Sequence, residues 1–289
     1  MRYQPVVIIG AARSGTNILR DTLARIPGVG TWPCDEINYV WRHGHRDYPT
    51  DEFPEDAATQ SVCRFIRRAF DRVATRGDFC HVVEKTCANS LRVGYVSRVL
   101  PDAKFVYIVR DGRDVVASAT RRWRAALDLK YVLKKAQYVP LSDLPYYACR
   151  YLVNRGHRLF SPSRCLATWG PRFEGMQQAL AGAPLEAVCA LQWSRCVDLA
   201  DSQLERIDST RIYRLRYEQF VEQPADELRS IASFLDADVR SDDLSTLTSD
   251  VLEKNVGKWQ NSIDEQLHAV ISPAMSDTLR RHGYVSSSD

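Results

Sequence analysis

The chain has 289 residues and a formal net charge of +3, a length that suits one large α/β domain or two small ones and is ample for a buried core. Hydrophobic residues at 45% and charged residues at 26% exclude disorder as the general state, and apolar runs such as Val6–Ile9 are far too short to span a bilayer. The start, Met1 to Pro5, lacks a signal peptide's long apolar region, and the eight cysteines contain no CxxC pair, so the expectation is a cytoplasmic protein with reduced thiols and no zinc or disulfide framework.

Val6 to Ile9 is a continuous β-branched run, the pattern of a strand buried on both faces of a parallel sheet. After a turn from Gly10 to Gly15, the apolar residues Leu19, Leu23 and Ile26 predict a helix that stops at Pro27-Gly28. Phe79 to Val83 reads as a second strand, about 89–100 as a helix with Leu91, Tyr95 and Val99 on one face, and Lys104 to Val109 as a third strand feeding a helix near 111–120. From about 121 to 184 the rhythm breaks into a helical, proline-bearing insertion. A long helix over about 185–207, a strand at Arg211 to Leu215 and a helix opened by Pro224 follow, proline at the first helical position being favoured because no N–H is needed there. Strand–helix alternation of this kind argues for right-handed βαβ units. We therefore expect a single α/β domain over 1–289, with a helical insertion at about 121–184 and a flexible tail at 286–289.

Charge is unevenly spread. Between Arg121 and Arg172 there are eleven Lys/Arg against two acids, a net of +9, interleaved with eight Trp, Tyr and Phe; the remainder carries 28 basic and 34 acidic side chains, a net of −6. Such a block reads as a solvated helical face, a landing surface for anionic lipid at the inner membrane face, or a wall for an acidic substrate. The residues that would steer such a partner are Lys130, Lys134, Lys135, Arg150, Arg155 and Arg158.

The segment Gly10-Ala11-Ala12-Arg13-Ser14-Gly15-Thr16-Asn17 lies between the first strand and its helix. Its GxxxxG spacing is that of a Walker-type loop, whose backbone N–H groups wrap an anion at a helix N-terminus. Thr16 stands where a nucleotide hydrolase has lysine, and Asn17 where it has the magnesium-binding Ser/Thr. The cation has moved inside the loop as Arg13. Donors and a guanidinium without a magnesium ligand suit a phosphate or sulfate held without metal; the competing reading is an ordinary glycine-bearing turn. In Val106 to Ser118, Arg110 falls just past a strand end, where ligands of open α/β sheets bind, with Ser118 two helical turns further on. The competing reading there is a salt-bridged helix start.

These two segments resemble the PAPS-dependent sulfotransferase family, bacterial type. Arg13-Ser14-Gly15-Thr16 is similar to its 5′-phosphosulfate loop, and Arg110 to Ser118 to its 3′-phosphate motif. Glu84-Lys85-Thr86, Arg216 to Phe220 with Pro224 downstream, and Gly257-Lys258-Trp259 agree in order. The resemblance spans Val6 to Trp259 and implies the P-loop kinase-like three-layer sandwich with a central parallel sheet, and sulfuryl transfer from PAPS to a hydroxyl or amine acceptor. Little covalent chemistry falls to the protein in such a transfer, and positioning and charge stabilisation dominate. The resemblance places Arg13, Ser14, Gly15, Thr16 and Asn17 at the 5′ end and Arg110, Ser118 and Lys258 at the 3′-phosphate. It puts Lys85 at the transferring sulfonate and Tyr217, Gly257 and Trp259 around the nucleotide, with no metal and no nucleic-acid polymer. A carbohydrate or glycolipid is one candidate acceptor, which the basic insertion, not the resemblance, suggests.

The chain departs from the family's animal members at Arg13, where they have lysine, and at Cys87, where they have histidine. Arginine, with its high pKa, is a poor proton donor, and a cysteine does not readily replace an imidazole base. The loop Trp32 to Trp41 resembles one in which several bacterial members carry a base glutamate, which makes Glu36 the candidate, with burial beside the aromatics expected to raise its pKa. His43 and His45 are its rivals in the same loop. Two other readings stay open: a P-loop kinase of a small metabolite, and a non-catalytic protein that binds anionic ligands or lipid surfaces on the same fold.

Overall fold

The protein is described by a computed structural model covering residues 2–124, 143–149, 152–153, 169–253 and 255–285. Much of the expected insertion, all six of its steering Lys and Arg residues, and the tail at 286–289 lie outside the described residues. Five strands, β1 (Gln4–Ile9), β2 (Val29–Thr31), β3 (His81–Lys85), β4 (Lys104–Val109) and β5 (Ile212–Arg216), form one parallel sheet in the order β2-β3-β1-β4-β5. The alternation of side chains along a strand divides the core in two. Val6, Ile8, Val106 and Ile108 face one layer, made by α1 (Thr16–Leu23), α8 (Tyr217–Glu222) and α9 (Pro224–Leu235). Val7, Ile9, Phe105 and Tyr107 face the other, made by α3 (Gln60–Gly77), α4 (Val93–Val99), α5 (Gly112–Arg124), α7 (Leu185–Leu204) and α11 (Glu265–Arg281). Leu19, Leu23, Leu228 and Ile231 are wholly buried, each worth roughly 1.5–3 kcal/mol of removed apolar surface. The result is the three-layer sandwich with the P-loop kinase-like strand order.

Several boundaries differ from the sequence reading. The strand expected at 79–83 is His81–Lys85, because Asp78 closes α3 in a left-handed turn (φ 50°) and Phe79 packs over Gly30 and Gly77 before pairing begins. This shift matters: it puts Glu84 and Lys85 at the strand's C-terminal end. The helix expected over 89–100 is a 3₁₀ turn, Cys87–Leu91, followed by α4; Arg92, whose backbone (φ −149°, ψ 41°) is not helical, separates them, its buried Nε donating to Asn89 Oδ1 at 2.9 Å. The helix after β4 continues to Arg124, into the expected insertion, and α6 (Met176–Gly182) closes that insertion. Strand β2, the short helix α2 (Asn38–Trp41), α3, α8, α10 (Leu244–Leu247) and α11 are additional. Among the described residues no helix is long and apolar enough to cross a membrane.

Candidate functional site

The loop between β1 and α1 leaves the sheet at its C-terminal edge. Arg13 (φ 74°) and Gly15 (φ 87°) both take left-handed backbone conformations, and Ser14 N–H donates to Ala11 O at 3.1 Å. Gly15 is required twice over: its φ is strained for any other residue, and a Cβ there would lie 2.2 Å from the Tyr217 ring. The turn presents the first N–H groups of α1, which helix geometry leaves without intrahelical acceptors. Ser14 Oγ and Asn17 Oδ1 are buried without a hydrogen-bond partner. A buried polar atom left unpaired is costly; the Ser14 hydroxyl in this loop can donate to an anion held there, whereas Asn17 Oδ1 can only accept.

Beside the loop opens a cleft of about 310 Å³ lined by Arg13, Arg110, Asp114, Ala117, Ser118, Arg121, Arg122, Asn255 and Lys258. Five of these nine carry a positive charge and one a negative charge. Burial first, then the charges of Arg122 and Arg110, hold Arg13 below its ordinary pKa, as desolvation and like-charged neighbours do. Arg110 is the hub. Its Nη1 donates to Arg13 O (3.1 Å), its Nη2 donates to Asn255 O (2.5 Å) and pairs with Asp114 (3.3 Å), and its guanidinium lies 4.4 Å from the Tyr217 ring centroid. Its Nε is buried and has no partner. Asp114 in turn accepts from Gly257 N–H (2.9 Å) and Trp259 N–H (2.8 Å), docking the segment that carries Lys258 over the cleft. The Arg113 guanidinium lies 3.9 Å from the Trp259 ring centroid.

On the β3 side of the loop, Glu36 Oε1 accepts from Lys85 Nζ at 3.2 Å and from Cys87 N–H at 3.3 Å. Both donors stabilise the carboxylate form. Burial would lower the Lys85 pKa, but the Glu36 carboxylate overrides it and the ammonium is raised above its ordinary value. Burial and then Glu36 push the Cys87 thiol up to about 12, so at neutral pH this residue stays a thiol; it makes a 3.6 Å contact with Thr16 Oγ1. His45 Nε2 is 2.7 Å from Ala57 O, and His43 Nδ1 is 3.0 Å from Asp143 while its ring stacks on Phe65.

The structure therefore brings the named residues together in two groups around one loop. Arg110, Ser118 and Lys258 share the cleft. Arg13, part of the loop, also reaches the cleft, with its Nε donating to Ser118 Oγ at 2.9 Å. Ser14, Gly15, Thr16 and Asn17 form the loop, and Lys85 with Glu36 stands on its far side. Tyr217 is 4% exposed and supports Gly15 and Arg110 without lining the cleft. Arg121, Arg122 and Asn255 were missed. The first two sit three and four residues after Ser118 on α5, a same-face spacing readable from sequence; Asn255 reaches the cleft by tertiary packing alone.

By sequence, no curated protein gives a significant match. By structure, the sulfotransferase domain from the curacin biosynthetic pathway is similar at 13% identity and a TM-score of 0.54, over 95% of this chain and 98% of that one. A sulfotransferase from Mycobacterium avium is similar at 12% identity and a TM-score of 0.55, over 97% and 77%. A mouse sulfotransferase complexed with PAP is similar at 13% identity and a TM-score of 0.51, over 97% and 86%. At such identities these likenesses concern the fold. The sequence itself matches the model described as the sulfotransferase family over residues 5–168 and 161–242, a stretch that takes in the anion loop, Glu36, Lys85 and Arg110, and on that match the chain belongs to the sulfotransferase family.

Proposed function

We propose that the protein transfers a sulfuryl group from PAPS to an acceptor hydroxyl by an in-line displacement that needs no metal. The observation that carries this reading is the pairing of an anion loop holding the orphaned Ser14 hydroxyl with a cleft of crowded cations that includes Arg110, whose Nε is also without a partner. The residues fit the donor: the loop N–H groups and Ser14 suit its 5′ end, and Arg110, Ser118, Arg121, Arg122 and Lys258 suit a 3′-phosphate. That the mouse relative of the same fold is complexed with PAP supports the assignment. With Thr16 and Asn17 at the positions a magnesium nucleotide enzyme gives to Lys and Ser/Thr, adenosine 3′,5′-bisphosphate should bind ahead of ATP-Mg²⁺.

The donor, when bound, supplies an activated sulfuryl group on a phosphate leaving group. The chain's share is positioning and charge. Lys85, held at the C-terminal end of β3, neutralises charge on the sulfuryl oxygens; the loop N–H groups and Arg13 stabilise the charge left on the phosphate. Glu36 takes the acceptor's proton; its contacts with Lys85 and the Cys87 N–H orient the carboxylate but favour its ionised form, so they work against the raised pKa expected from burial and leave its contribution one of position. Cys87, locked as a thiol, does not compete for that role.

The test is Glu36→Gln, which keeps size and removes the base. Turnover is read as transfer from radiolabelled PAPS to methyl glucoside, glucosylceramide, 4-nitrophenol and glucosamine. The variant should lose about 10²–10⁴ in kcat with nucleotide affinity unchanged. Near-normal kcat in Glu36→Gln, with the loss appearing in His43→Ala or His45→Ala instead, would transfer the role to a histidine.

A further inference from the structure

Glu84 is a glutamate 1% exposed in the middle of the molecule, and the chemistry above does not use it. Its Oε1 accepts from Thr86 Oγ1 at 2.5 Å and its Oε2 from Asn89 Nδ2 at 3.0 Å. Two arms run outward from these bonds, and both end on the residues that follow Glu36. In the first, Thr86 Oγ1 accepts from Ile37 N–H at 3.2 Å. In the second, Asn89 Oδ1 accepts from Arg92 Nε at 2.9 Å, and Arg92 Nη2 donates to Asn38 Oδ1 at 2.5 Å. Thr86, Asn89 and Arg92 have no exposure, so water cannot take the place of a missing link.

The direction of every bond in this network is forced. A guanidinium and a backbone N–H can only donate. Arg92 therefore fixes Asn89 with its amide oxygen toward Arg92 and its NH₂ toward Glu84. Ile37 N–H likewise occupies a lone pair of Thr86 Oγ1, which turns that hydroxyl's proton toward Glu84. The side chain at position 84 must consequently accept at both ends, and a carboxylate does this while an amide cannot. From these contacts we infer that Glu84 is a positioning residue that fixes the Glu36 loop: through Thr86 and through Asn89–Arg92 it holds the backbone of Ile37 and the side chain of Asn38, and so sets where the Glu36 carboxylate meets Lys85 and the acceptor. The inference rests on the reading of Glu36 as the base only for its effect on turnover; the hold on the loop stands apart from it.

Glu84→Gln turns one accepting oxygen into a donor facing a donor, and Thr86→Val removes the hydroxyl from one arm while leaving Glu84 intact. Three readouts decide the matter. Amide hydrogen exchange at Ile37 should quicken at least about tenfold in both variants, and calorimetric affinity for adenosine 3′,5′-bisphosphate should stay within about twofold. Turnover with the same four acceptors should fall ten- to a hundredfold in kcat, the scale of a misplacement near 1 Å. The double variant Glu36→Gln/Glu84→Gln should be no slower than Glu36→Gln alone, since a group acting through Glu36 has nothing left to position. Losses that add fully, or unchanged exchange at Ile37 in both single variants, overturn the inference. Should Glu84→Gln fail to fold, Thr86→Val carries the same comparison, alone and combined with Glu36→Gln. If Glu36→Gln turns over normally while Ile37 exchange still quickens in Glu84→Gln, the base assignment falls and the hold on the loop stands.

Discussion

Arg110 offers the most direct test of the nucleotide cleft. Its guanidinium ties three elements together: Nη1 reaches Arg13 O in the loop, Nη2 reaches Asn255 O, and the same group pairs with Asp114 on α5. Replacing it by alanine has two separable effects. It removes one charge-assisted hydrogen bond to a bound phosphate, typically about 1.5–3 kcal/mol, so affinity for adenosine 3′,5′-bisphosphate should fall about ten- to a hundredfold. It also strips a buried partner from Asp114, whose side chain is only 1% exposed, and breaking a buried pair from one side costs about 3–5 kcal/mol. That figure is an upper bound here, because Gly257 and Trp259 N–H groups still donate to the carboxylate. Arg110→Lys separates the two effects. The ammonium keeps the charge but lacks the fork that spans Arg13 O and Asn255 O, so it should recover part of the stability and little of the affinity. Titration calorimetry with adenosine 3′,5′-bisphosphate and with ATP-Mg²⁺, beside thermal unfolding of each variant, reads both. Arg110→Ala binding within threefold of the native chain, or ATP-Mg²⁺ bound ahead of the bisphosphate, would refute the assignment of this cleft.

Gly15→Ala should abolish measurable bisphosphate binding and lower the melting temperature by several degrees, because the added Cβ meets the Tyr217 ring in a backbone conformation alanine strains to adopt; the pair Gly15→Ala/Tyr217→Ala, which removes the clash but keeps the strain, should recover only part of the loss.

What the sequence made legible follows from range. β1 and β4 are continuous apolar runs flanked by turn residues, and each begins and ends within two residues of where the pattern puts it. The anion loop is equally local: two glycines and Arg13 carry it within eight residues. Among the elements that the sequence reading leaves out, α3 has a full amphipathic face (Val62, Ile66, Ala69, Phe70, Ala74) behind the N-cap Thr59 and is legible in the sequence, whereas α11 and β2 have weak signals. α11 buries only Ile271, Met275, Thr278 and Leu279 and contains Pro273, and β2 is three residues at the sheet's edge. The contacts that finish the site are long-range and carry no periodicity at all. Asp114 reads as one acid of a charged helix start, and only folding shows it accepting N–H bonds from residues 143 and 145 positions away. Glu84, read beside Lys85 as part of one motif, turns out to face the opposite side of the strand and to support the loop 48 residues earlier through Ile37 and Asn38.

The strand order explains why such scattered residues act together. β3, β1 and β4 are adjacent in the sheet, and each runs out at its C-terminal edge with a different piece of chemistry: Lys85 on β3, the anion loop after β1, Arg110 after β4. Neighbouring strands lie about 4.8 Å apart, so the outer two of these three strand ends stand about 10 Å from each other with the loop between them. A ligand with anionic groups at two points can therefore be gripped at the loop and in the Arg110 cleft at once, while its reacting end is turned toward β3. The charges follow the same division. The cations of the cleft have Asp114 as their acid, and that acid is occupied by Arg110 and two backbone N–H groups, which leaves the cleft a strong anion site. Lys85, by contrast, has a carboxylate of its own in Glu36. On the proposed reading, that carboxylate stands where an acceptor hydroxyl would lose its proton as the sulfuryl group arrives. That reading divides binding and proton removal between opposite sides of one loop, and the proposed role of the network behind Glu84 is to keep the second in register with the first.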